Sequence, residues 1–252
     1  MSNKYIILRG KFYLSRIANG VAGAMRHIGN VPEFEIAIGV DTIEHQESMT
    51  IHNTTDLVLY DAVKVTFSGK LEDINAENLA YILSADNHTI ASTTHTDQNL
   101  GTVIAGDEIK LKGYNLSAVT VKDSTSGTPV TVATDKIKLD AKFGTITITD
   151  VTGLTMPLKI TYTSGEVTNT TLASDLGAEY ALFFKGTNKA TGEHMALNLW
   201  RTTKSPEATF PLIHGNEFGQ YDIQGTALSV IENEADPTLG YFGHLVTIPT
   251  TV

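Results

Sequence analysis

Glu33 and Glu35 are the nearest this chain comes to a paired-carboxylate motif. Two residues apart on an alternating segment, they share one face of a strand, the placement from which two carboxylates serve as acid and base in sugar hydrolysis. The flanking sequence lacks the aromatic platforms of a glycan cleft, so solvated or interface charges are the simpler reading. A second grouping, Glu44, His45, Glu47 and His52, has the residue types of a metal site. On a strand, however, Glu44 and His45 point to opposite faces, and no further cluster at ligand spacing accompanies them. There is no G-x-S-x-G elbow, no H-E-x-x-H pair and no G-x-x-x-x-G-K-[ST] loop. Ser68-Gly69-Lys70 lacks the preceding glycine that would let backbone amides wrap a phosphate. The expectation is a protein without catalytic residues, cofactor or metal.

Composition narrows the classes further. The 252 residues, 41% of them apolar and 18% charged, suffice for one large or two small cores. With 18 basic against 28 acidic side chains the formal net charge is −10, which opposes binding that works by neutralising phosphates. The absence of cysteine excludes disulfides and thiolate metal sites. No run approaches the ~20 apolar residues of a membrane helix or the core of a signal peptide, so a soluble chain without a leader is expected.

The elements that must position these residues read mostly with period two. Phe34, Ile36, Ile38 and Val40 alternate with Glu35, Ala37 and Gly39, and Val63, Val65 and Phe67 with Lys64, Thr66 and Ser68. The stretch from Glu44 to Asp61 then reads as the excursion of a long β-hairpin with a polar tip at residues 52–56. Alternation recurs at Ile109/Leu111, Val119/Val121, Val130/Val132, Ile146/Ile148 and Ile160/Tyr162, with turn signals between. Further strands are expected near Tyr180–Phe184, Met195–Arg201 and Tyr221–Val230. One segment reads as a helix: Asn75 can cap it, Glu77 suits its first turn, and Leu79, Ile82 and Leu83 form an apolar stripe. These patterns predict a mainly β protein, an antiparallel sandwich or barrel with one flanking α-helix.

Residues 101–160 contain only two aromatic residues, Tyr114 and Phe143, and are rich in Thr, Val, Ile, Lys and Asp. So thin a core suits a β-rich insertion or small sandwich, placed at 99–165, between a first part of the main domain at 1–98 and a second at 166–252. Trp200, the only tryptophan, fits either core or an interface anchor. Gly20, Gly23 and Gly29 make turns or let an N-terminal arm lie close against a neighbouring subunit.

Arg9-Gly10-Lys11-Phe12-Tyr13-Leu14, the stretch from Ile28 to Ile36, Glu44-His45-Gln46-Glu47-Ser48 and Glu77-Asn78-Leu79-Ala80, then Gly186-Thr187-Asn188, Pro206 and the Phe218 to Leu228 segment, form a set of phrases. Together they resemble the tail tube proteins of tailed bacteriophages. Asp140-Ala141-Lys142-Phe143-Gly144-Thr145-Ile146 is similar to the extra strands that some members carry. The resemblance implies a structural virion protein, made in the host cytoplasm, whose hexameric rings stack into the tail tube through which the genome is ejected. Its implied partners are further copies of itself, the tape measure, the tail tip or baseplate and the terminator. DNA would pass without specific binding, and no membrane is involved. In such a conduit Glu33, Glu35 and Asp222 are candidates to face the lumen and repel phosphate. The hairpin residues Met49, Ile51, Leu57, Val58 and Leu59 are candidates for contact between rings, being too apolar for a solvated loop. A non-enzymatic surface adhesin or carbohydrate-binding β-module is the alternative; it shares the Thr-rich strands and the lack of catalytic motifs.

Overall fold

The computed structural model describes residues 5–205, 207 and 209–250; Pro206, part of the resemblance above, lies outside them. Strand β1 (Leu8–Ala18) receives two short strands folded back along it, β2 (Val21–Ala22) and β3 (Arg26–His27). β4 (Glu33–Gln46) and β5 (Thr55–Leu71) form a long hairpin, followed by α1 (Ala76–Leu83). β6 (Asn87–Ile90) leads to β7 (Thr93–Gly101), β8 (Glu108–Lys110), β9 (Ser117–Lys122), β10 (Ile137–Asp140), β11 (Thr145–Ile148) and β12 (Leu158–Ser164), and β13 (Val167–Thr170) leads out again. β14 (Glu179–Asn188), β15 (His194–Lys204), β16 (Tyr221–Ala227) and β17 (Gly243–Ile248) complete the chain. Two compact units result, one of Met1–Asp86 with Thr170–Val252, the other of Asn87–Asn169.

The first unit is a single antiparallel sheet in the order β2-β1-β14-β15-β16-β5-β4, with β17 pairing the first half of β15 and β3 pairing β1. Alternation along each strand sends one face inward: Phe12 and Leu14, Leu182 and Phe184, Leu197 and Leu199, Tyr221 and Ile223, and Val65 and Phe67 form one core. β1 and β4 stand far apart in the strand order, yet the rings of Phe12 and Phe34 lie 4.5 Å apart. The sheet therefore rolls until its two ends meet over the core, which makes the sandwich. Glycines permit the close packing. A Cβ on Gly225 would lie 2.6 Å from the Phe67 ring, and one on Gly69 2.9 Å from the Phe34 ring.

Helix α1 closes this core with Tyr81 and Ile82. Asn75 caps it as its composition predicts, Oδ1 accepting from the amide of Asn78 at 2.8 Å. The buried stripe differs from the expected one: Asn78, Tyr81 and Ile82 face inward, while Leu79 and Leu83 are half-buried. Asn78 explains the rotation. Its amide donates to the carbonyls of Ile28 and Asp73 and its oxygen accepts from Arg26, so a polar side chain pins the helix face. At the other end Ser84 adopts a left-handed C-cap, and Lys204 from β15 directs its ammonium to the Ser84 hydroxyl at 3.3 Å. A buried cation thus stands at the negative end of the helix dipole.

The second unit packs two three-stranded sheets, β7-β12-β9 and β10-β11-β8, around Ile146, Ile148, Leu158, Ile160 and Tyr162, all 0% exposed. Tyr162 satisfies its hydroxyl inside the sandwich, accepting from the Lys112 amide and donating to Gln98. β6 and β13, the inbound and outbound strands, pair as a two-stranded ribbon. This unit begins earlier than the expected boundary at 99, because the polar β7 pairs with β12, and it runs to Asn169 rather than 165. The expected strand at Val130/Val132 is a single bridge, Lys122 to Thr131. Loop control falls instead to Asp123. Its buried carboxylate accepts from the amides of Thr125, Val130 and Thr155 and from the Thr125 hydroxyl.

Candidate functional site

The β4–β5 hairpin outruns the sheet that supports it. β16 pairs with β5 only over Val65–Leu71, so residues 39–64 continue as a two-stranded arm with no third strand beside them. At strand rise, the arm extends about 25 Å. The expected excursion is therefore not a loop but a ladder in which Val40 faces Val63, Ile43 faces Leu59 and His45 faces Leu57, with register shifts between Val40 and Thr42 and between His45 and Gln46. Only residues 47–54 turn the chain, whereas residues 52–56 were expected to form the tip. Glu47 organises that turn: its carboxylate accepts from the amides of Met49 and Thr50 and from the Thr50 hydroxyl, which holds its pKa below the ordinary carboxylate value.

Apolar groups crowd this arm on both faces. Met49 and Ile51 at the tip are 90% and 95% exposed, and Ile43, Leu57, Val58 and Leu59 along the shaft are 42–56% exposed. An isolated two-stranded hairpin is marginal in water, and contiguous exposed apolar surface marks an interaction site. The outer edge of β4 adds a row of unpaired backbone groups, an open template for a further strand. All five hairpin residues singled out in the sequence thus lie on one projecting element, together with Tyr60 and Val63, which the sequence reading did not name as contact residues.

The three acidic candidates come together as well. Glu33, Lys70 and Asp222 occupy one cross-strand row over β4, β5 and β16, and Glu35 lies two rows along on the same face, opposite Ser68. Lys70 Nζ reaches Asp222 at 2.5 Å, and this hydrogen bond, with Glu33 adding a smaller attraction, raises the ammonium pKa. Asp222 is therefore neutralised, leaving Glu33 and Glu35 as the less compensated charges of the three. Beside them an open groove of about 430 Å³ is lined by Glu35, Lys64, Ser68 and Gln224. Trp200 is half-buried. Its indole N–H donates to the carbonyls of Leu239 and Gly240, and its ring meets His244 edge-on at 4.8 Å, so it anchors the C-terminal segment within its own chain. His45 of the supposed metal grouping instead contacts Asp56 at 2.6 Å, and among the described residues no three His, Asp or Glu gather at ligand range.

Fold and surfaces together define a mainly antiparallel β-sandwich protein with one flanking helix and a projecting two-stranded arm. The chain belongs to the family described as protein of unknown function UCP028589, whose model matches residues 5–246 and so spans both units. No curated protein matches it.

Proposed function

We propose that this chain is a structural subunit that self-assembles into hexameric rings, stacked as the tube of a phage tail and serving as a conduit for genome ejection. The observation that carries this reading is the arm: an apolar ribbon about 25 Å long that the monomer leaves uncovered. Covering it with neighbouring copies turns the exposure of a lone subunit into the driving force for stacking. The open β4 edge offers backbone pairing for lateral growth, and Glu33 and Glu35 supply carboxylates for a lumen that must not hold DNA. The tape measure, tail tip or baseplate and terminator are its partners under this reading, and the virion tail its location.

Electron microscopy of the purified protein over a concentration series tests the proposal, with an arm-less variant alongside. Replacing residues 41–62 by Asn-Gly joins the opposed pair Val40 and Val63 through a tight turn and leaves the body intact. Hollow tubes of uniform diameter from the full chain, and none from a normally folded arm-less variant, support it. A monomer that stays monomeric even with a tail-tip complex supplied overturns it.

One observation favours the adhesin or carbohydrate-binding alternative. Tyr114 and Phe143 are 42% and 68% exposed on adjoining loops, tied by the Asn115 amide to the Lys142 carbonyl at 3.2 Å, with Lys110 over the Tyr114 ring. Saturable sugar binding by the monomer, lost in Tyr114→Ala, decides for it.

A further inference from the structure

A second surface of the body breaks a local rule of sheet design. On the outward face of β1 and β14, Lys11 stands directly opposite Lys185, and Arg9 lies one step along the same face. Like charges directly opposed across antiparallel strands repel, and such pairs are normally avoided. Here nothing compensates them: none of the three has a carboxylate partner among the described residues. The cross-strand rows that start at Arg9, Lys11 and Tyr13 and run through β14 and β15 to β17 contain no Asp or Glu. Lys185 Nζ sits 4.8 Å from the centroid of the Tyr13 ring, with Phe183 adjacent, so the cationic face also carries aromatic surface. In a chain of net charge −10 this is an isolated basic and aromatic patch.

The arm has the complementary chemistry. Its residues 39–64 hold five carboxylates, Asp41, Glu44, Glu47, Asp56 and Asp61, against a single Lys or Arg, Lys64 at its base. Glu47 is committed to the tip turn and Asp56 to His45, and Glu44 points with its cross-strand partner Val58 to the other face, which leaves Asp41 and Asp61 on the exposed shaft on the side of Ile43, Leu57 and Leu59. An acidic apolar ribbon and a basic aromatic face, each unsatisfied in the monomer, match in charge and character.

We infer that the arm of one copy docks on the β1–β14 face of a second copy, its Asp41 and Asp61 meeting Arg9, Lys11 and Lys185. This rests on the self-assembly reading and names the receiving surface. The repulsion of Lys11 against Lys185 is then the mark of a face built to be neutralised from outside, and association weakens as salt screens the pairs.

A complementation experiment tests the docking. The face variant Lys11→Glu with Lys185→Glu keeps a like-charged pair, so the monomer's own stability changes little, and its arm is intact. The arm-less variant keeps its face. Each alone should show at least a tenfold loss of self-association by sedimentation velocity, while a one-to-one mixture of the arm-less variant with the wild-type-faced chain should still form complexes. A mixture of arm-less and face variants should form a discrete heterodimer, because one supplies only a face and the other only an arm. Adding Asp41→Lys and Asp61→Lys to the face variant should restore its self-association. Tubes formed unchanged by the face variant overturn the docking and leave the tube reading standing. Discrete wild-type oligomers that are not tubes, yet are lost in the face variant, uphold the docking and overturn the tube. Wild-type monomers together with no heterodimer overturn both.

Discussion

Two buried ionisable side chains carry opposite pH signatures. Asp123 accepts four hydrogen bonds, led by that of the Thr125 hydroxyl, which bring its pKa down to about 2. A depressed carboxylate stabilises the fold fully above its unfolded pKa of about 4 and loses that contribution as pH falls toward 2. Asp123→Ala should lower the melting temperature of the inserted unit at pH 7 by on the order of 10 °C. Thermal melts at pH 7, 4 and 2.5 should then show wild type and variant converging as acid removes what the substitution already took away. Lys204 is the reverse case. Burial lowers its pKa from 10.5 to about 8, so the unfolded chain holds the proton more firmly and the cost of burying the charge is full below pH 8. Stability of the main unit should rise between about pH 8 and 10.5. Lys204→Met should abolish that rise and add on the order of 1–2 kcal/mol at pH 7, the helix dipole having recovered part of the cost. Chemical denaturation at pH 7 and 10 measures both effects.

At the scale of elements, the arm is separable from the fold that carries it. Ile51, at 95% exposure, contributes almost nothing to the monomer, so Ile51→Asp should leave the unfolding free energy within about 0.5 kcal/mol of the wild type and still abolish assembly. Unaltered assembly would reduce the tip to a solvated loop. The hairpin was legible in the sequence because its two strands are neighbours along the chain and alternate over Phe34–Val40 and Val63–Phe67. Other elements left weaker traces. β7, Thr-Thr-His-Thr-Asp-Gln-Asn-Leu-Gly, has no apolar period, and it is a strand because β12 pairs with it from some sixty residues away. α1 was found by its cap and misjudged in its facing, since no pattern rule places a buried Asn on the core side. The grouping of Glu33 with Asp222 rests on β5 pairing β16 through Lys70, a contact between distant segments that neither acidic residue announces. Lys11 and Lys185 were invisible as a pair for the same reason, the β1–β14 register being written in neither strand alone.

For the whole molecule, the β6–β13 ribbon makes the inserted unit a detachable part. Its two ends leave the main unit as hydrogen-bonded neighbours, so excising residues 91–166 and closing the ribbon with a short turn should leave a cooperatively melting main unit. Near-ultraviolet circular dichroism and calorimetry check this, and a molten or non-cooperative product would show that the insertion supports the main core. The ribbon and the two separate cores also account for how the composition could announce an insertion while missing its edges: the drop in aromatic content follows the core, and the edges follow pairings that composition does not record. The long sheet has one more consequence, in time rather than space. Leu8 pairs with Asn188, so when β1 leaves the ribosome its partner strand is about 180 residues from being made. At ordinary translation rates β1, with Phe12 and Leu14 uncovered, waits about 10–35 s, while the inserted unit has every strand it needs and can fold first. The nascent main unit is thus the vulnerable species in the cell, and a holding chaperone would find its target in a half-made sheet rather than in the finished protein.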